Sequence, residues 1–130
     1  MTIAYWCVFI FFILAYLPVG ISKILAGNFR VMNRDPRIFL ENKSGTVKRL
    51  YNAHLNSLEM FPFFATAVII SQLVGKLSQY TIDALAVAFL VSRVVYILAY
   101  AAHKPPIRSL VWLFGWAIVA AYFVVPYLKG

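Results

Sequence analysis

LYNAHLNSLEMFPFFATAVIISQLV, residues 50–74, is long and apolar enough to cross a bilayer as one helix, a task that takes about 20 residues. Glu59 lies inside it. On insertion scales a carboxylate near the bilayer centre costs ~2.5–3.5 kcal/mol, and more if it stays charged and unpaired. It therefore needs a partner. The chain offers one intramembrane cation, Arg93, and the reading expects a Glu59–Arg93 pair.

Working outward from that stretch, three further segments have the same character, at about 3–26, 81–102 and 107–128. Of the 130 residues, 63% are hydrophobic and only 12% charged, with mean hydropathy +0.82. A soluble domain of this size cannot bury that much apolar surface, so lipid is the solvent for much of it. The first segment has no basic leader, too long an apolar run and no clear cleavage site, so it reads as a retained span rather than a signal peptide. Pro18 and Gly20 are expected to bend its far end. The short later connections make neighbouring spans antiparallel. The expected fold is an all-α membrane bundle of four transmembrane helices in one domain, residues 1–130. Cys7 is the sole cysteine, which leaves no internal disulfide and no cysteine-based metal site.

The only sizeable loop joins the first two spans, about residues 28–49, and contains NRDPRIFLENKSG, rich in turn formers and charge. With four spans, loops one and three share a side. That side carries Arg30, Arg34, Arg37, Lys43, Lys48, Arg49, Lys104 and Arg108, against Lys76 and Lys129 on the other. The bias predicts cytoplasmic loops and termini on the opposite side. It also accounts for most of the +8 net charge without a nucleic-acid partner, while leaving room for anionic lipid. The shortness of the chain points to a bacterial inner membrane rather than endoplasmic reticulum.

Polar residues inside the spans gather on one side. Asn52, Asn56 and Glu59 fall at i, i+4 and i+7, one face of a helix, as Arg93, Tyr96 and Tyr100 fall at i, i+3 and i+7. Glu59 is ten residues inside Arg49, and Arg93 ten inside His103, so each lies about 15 Å from the cytoplasmic boundary. Pro62 frees the carbonyl of Leu58 next to Glu59. Pro105-Pro106 opens the last span, followed by Arg108, Ser109 and Trp112. The opposite halves of the spans are almost purely apolar. The pattern describes a cytoplasm-facing pocket rather than a channel, suited to an anionic ligand that also carries an ammonium group. Plainer readings stand beside it. Glu59 and Arg93 can simply fix helix register, Tyr96 and Tyr100 can be packing residues, and Arg108 a topology signal. His54 reads as a hydrogen-bonded helix residue. No second His or carboxylate has ligand spacing with it, so no metal is expected.

AHLNSLEMFPFF (53–64), SRVVYILAY (92–100), PPIRS (105–109) and NRDPRIFL (33–40) together resemble the MAPEG family, membrane-associated proteins of eicosanoid and glutathione metabolism. The resemblance covers essentially the whole chain in order and spacing. It implies a homotrimer, with glutathione as co-substrate bound between protomers and lipophilic small molecules as second substrates. It further implies that Asn56 and Glu59 are helix-two ligands, with Glu59 on the glutathione amino group. Arg93 and Tyr100 contact the peptide and its carboxylates. Arg108 stabilises the thiolate, with Ser109 as the adjacent hydroxyl. Asn52 stands where glutathione-using members commonly carry an arginine, and Arg49 is near the same face. Leu55, Tyr96 and Trp112 depart from the prostaglandin synthase branch. Lys23 and Arg30 are candidates for the family's first-helix arginine.

The expected function is therefore a glutathione-dependent transferase or peroxidase for small lipophilic electrophiles, with Arg108 and Ser109 as catalytic residues. Asn56, Glu59, Arg93, Tyr96, Tyr100, Asn52 and Arg49 are its ligand-binding set. One rival is a non-catalytic membrane binding or assembly protein, favoured by Asn52. The other is a small four-span drug/proton exchanger, ranked low because the first span carries no carboxylate.

Overall fold

The computed structural model describes residues 1–128, all of whose regular structure is helical. Lys129, one of the two basic residues assigned to the less charged side, lies outside the described residues. Four long helices carry the fold: α1 (Ile3–Ala26), α4 (Gly45–Val74), α5 (Gln79–Ala101) and α6 (Pro105–Leu128). Each is long and apolar enough to cross a membrane. The chain is an integral, multi-pass membrane protein.

The helix ends follow from local chemistry. Thr2 caps α1 by accepting the Tyr5 amide at 3.4 Å, and Ser78 caps α5 by accepting that of Thr81 at 3.2 Å. α4 stops at Gly75, which adopts the left-handed conformation (φ 67°) and returns its N–H to the Ser71 carbonyl. α6 opens on two prolines, which lack the N–H that a first turn leaves unpaired.

The loop between the first two spans is more ordered than its turn-rich composition suggests. It contains two short helices, α2 (Phe29–Met32) and α3 (Pro36–Glu41). Asp35 accepts the Ile38 amide at 3.5 Å and Pro36 occupies the first helical position. That Asp-Pro pair is a helix-start signal hidden among residues read as turn formers. α4 likewise begins at Gly45, several residues before its apolar stretch.

Packing centres on one aromatic side chain from each of three spans. Phe64 and Phe89 stack with centroids 3.9 Å apart, and Phe11 meets Phe89 edge-on at 5.1 Å. Ala4, Ala67 and Ala86 are fully buried beside them, small enough to let helix backbones approach closely. α6 lies mainly on α5. Gly115 is its contact point, facing the Met60 methyl, the Phe89 ring and the Ser92 hydroxyl.

Hydrogen bonds pin both ends of the bundle. At the sparsely charged end Asp83 accepts the Ala4 amide at 2.8 Å and Gln79 at 2.9 Å. Tyr122 donates to the Ile82 carbonyl at 2.8 Å, and Ser71 donates to the Tyr122 carbonyl at 3.2 Å. Apart from the Gln79–Asp83 bond within α5, these bonds join one helix to another. At the basic end Ser22 donates to the Val47 carbonyl at 2.9 Å, and His54 Nδ1 bonds the Ala15 carbonyl at 2.7 Å.

A methyl at Gly115 would meet its neighbours at 3.7 Å, ordinary contact distance. Gly115→Ala should therefore leave thermal unfolding in detergent nearly unchanged. Gly115→Leu should cost about 1–3 kcal/mol, the usual penalty of overpacking.

Candidate functional site

Arg93 is fully buried, packed within the bundle. Its guanidinium carbon lies 4.1 Å from the Tyr96 ring and 5.8 Å from the Phe11 ring, close enough for cation–π attraction. Nη2 donates to Asn56 Oδ1 at 2.9 Å and to Ser57 Oγ at 3.2 Å. Nε and Nη1 are buried with no hydrogen-bond partner among the described residues.

Glu59 is not the direct partner of Arg93, which corrects the expected ion pair. Its carboxylate accepts from Asn56 Nδ2 at 3.5 Å and the residue is exposed. Equal depth alone does not bring two side chains together; azimuth decides contact. Successive residues of a helix turn by about 100°, so Glu59 lies about 160° around α4 from Ser57, which faces Arg93. Asn56 lies between them and links the two charges through its amide. Ser57, which lies off the stripe of Asn52, Asn56 and Glu59, is a true Arg93 partner. It passes its own proton to the Ala53 carbonyl at 2.8 Å. The signal was available, since Ser57 and Met60 share the face that the apolar core demands.

Tyr96 covers Arg93 on one side and lines a cavity of about 450 Å³ on the other. Tyr100, Arg108, Ser109 and Trp112 complete its polar and aromatic wall. Arg108 sits 4.5 Å over the Tyr100 ring, and Tyr96 and Tyr100 meet edge-on at 5.7 Å. Arg93, Tyr96, Tyr100 and Arg108 therefore form a continuous row from the sealed interior to the cavity, with the two rings between the two cations. Two guanidinium groups are held 

by ring faces, with no carboxylate between them, an arrangement that favours an anion placed beside Arg108.

The remaining expected residues lie elsewhere. Arg49 Nε donates to the Ala101 carbonyl at 3.3 Å and its Nη2 to Thr46 at 2.9 Å, so it clasps the end of α5. Asn52 is half-buried on α4 and is not among the residues lining the Arg108 cavity. Arg30 is exposed on α2. Lys23 lines a second cavity of about 490 Å³ between α1, α3 and α4, with Arg37, Tyr16, Tyr51 and His54. Among the described residues no three His, Cys, Asp or Glu side chains gather to hold a metal ion.

Four helices are long and apolar enough to cross a membrane, and residues 3–128 match the MAPEG family. The chain belongs to that family. Compared with curated proteins it has no match. MAPEG membership makes it a membrane protein of the glutathione and eicosanoid metabolism group.

The hydrogen-bond relay orders the effects of substitution. Asn56→Ala should destabilise the detergent-solubilised protein by about 1–3 kcal/mol, because a buried guanidinium loses an acceptor. Glu59→Gln should change stability by less than about 1 kcal/mol. Thermal unfolding of both variants checks the ranking, and equal losses would restore the direct ion pair.

Proposed function

We propose that this MAPEG protein is a glutathione-dependent transferase or peroxidase acting on small lipophilic electrophiles. The observation that carries the reading is Arg93, a buried cation with two unpartnered nitrogens and no carboxylate against it. Such a group is costly unless an anion completes it. Glutathione has two carboxylates, one ammonium and one thiol. In this reading Arg93, sealed behind Tyr96 and Asn56, draws a carboxylate through its field rather than by direct contact, Tyr96 and Tyr100 give hydroxyl contacts, and exposed Glu59 takes the ammonium.

Arg108 then faces the sulfur. A thiol with an ordinary pKa of ~8.5 is mostly protonated at neutral pH. A fixed guanidinium in a partly dry cavity favours the thiolate, the reactive form. Ser109 supplies a hydroxyl on the same wall, and the apolar remainder of the cavity receives an electrophile from the lipid phase. The chain contributes orientation and electrostatic stabilisation and needs no nucleophile of its own.

The distribution of the residues supports a homotrimer. Lys23 and His54 open on the α1–α4 side, whereas Arg108 and Ser109 open on the α5–α6 side. One chain carries two half-sites on different faces, and a second copy could join them. The site would open to the cytoplasm, the side to which the basic loops are assigned.

The rival, a non-catalytic binding or assembly protein, draws on Asn52 and on Arg49, whose guanidinium is engaged at the end of α5. Both readings meet one test. Glutathione titrated into the purified protein near neutral pH should give a saturable ultraviolet thiolate signal. Arg108→Ala should abolish it while leaving the protein folded. No signal at millimolar glutathione would sink the activated-thiolate mechanism.

A further inference from the structure

The elbow formed by α2 and α3 is held at the membrane surface by its own connections. Phe29 begins α2 three residues after α1 ends, and α4 begins four residues after α3 ends. Despite that position the elbow shows apolar side chains. Phe29, Val31 and Ile38 are 53%, 48% and 56% exposed, alongside exposed Arg30, Arg34 and Arg37. A groove of about 350 Å³ runs between the two helices. Val31, Ile38 and Phe39 form its apolar wall, and Arg34, Asn42 and Lys43 its polar rim. Lys43 lies 4.2 Å over the Phe39 ring. Asp35, the carboxylate in the groove, turns an oxygen to the Ile38 amide at the start of α3.

We propose that this elbow is a binding site for an anionic phospholipid of the adjoining leaflet. The lipid phosphate sits between Arg34 and Lys43, and the upper part of an acyl chain lies along Val31, Ile38 and Phe39. Three facts select this occupant. The covalent tether puts the groove at headgroup level, the cations outnumber the single acid in the groove, and the apolar wall has the membrane beside it. A soluble anion would use the rim and leave the wall in water. A basic apolar surface at this depth gains both from the negative surface potential and from burial of its apolar groups. The site is separate from the Arg108 cavity and does not depend on the glutathione reading.

Native mass spectrometry of the detergent-solubilised full chain tests it, with phosphatidylglycerol and phosphatidylcholine as probes. The wild type should bind phosphatidylglycerol roughly 25-fold more tightly. The Arg34→Gln/Lys43→Gln double variant should lose that preference, since each surface cation is worth roughly five-fold. Lys76→Gln, in the α4–α5 connection, should keep it. Ile38→Gln should weaken both lipids, and circular dichroism verifies that each variant retains its helix content. Equal binding of the two lipids by the wild type would overturn the proposal. So would a preference that survives the double variant, or displacement of phosphatidylglycerol by millimolar inorganic phosphate, which would mark a site for a free anion.

Discussion

The guanidinium of Arg93 has been taken out of both water and lipid without receiving a direct counter-charge, and the basic half of the bundle is arranged around that burden. A cation so placed pays a large desolvation cost. Asn56 and Ser57 offset part of it through hydrogen bonds, and Tyr96 and Phe11 through their ring faces. α1, α4 and α5 each contribute to this enclosure, so it also fixes their relative rotation. The two nitrogens left without partners set the direction of the remaining demand: the site is short of negative charge.

That demand gives the neighbouring cavity its character. Tyr96 belongs to both places, as a lid over Arg93 and as a wall of the cavity that Arg108 shares. The two arginines communicate through aromatic faces rather than through acids. Acidic neighbours would neutralise the site. Tyrosines hold the guanidinium groups in position and leave their charge available, which suits recognition of an anion better than a closed salt-bridge network would.

Much of this was legible in the residues. Length and hydropathy disclose four spans because the bilayer core imposes one minimum length on any helix that crosses it. The rise per residue places Glu59 and Arg93 at matching depth, and the face containing Tyr96 and Tyr100 does assemble. Rotation about the helix axis was harder to read. The stripe through Asn52, Asn56 and Glu59 is a polar face, but the sequence does not say which neighbour it meets, and Ser57 rather than Glu59 turns toward Arg93. The opposite half looked apolar because a lone Asp83 in a hydrophobic run gives no sign that it will cap another helix. α2 and α3 were obscured by residues that serve equally as turn formers and as helix starters. The division of Lys23 and Arg108 between two faces is a property of three dimensions alone.

Arg49 gives the fold a mechanical property. Its bond to the Ala101 carbonyl ties the beginning of α4 to the end of α5, just where the chain reverses into α6. Arg108 stands seven residues beyond that tie, on the first turns of α6. The reach of its guanidinium is therefore set by a clasp outside the cavity, much as the throw of a lever is set by its pivot. Changes in the first turns of α4 can shift the electrostatic centre of the cavity without altering any residue that lines it.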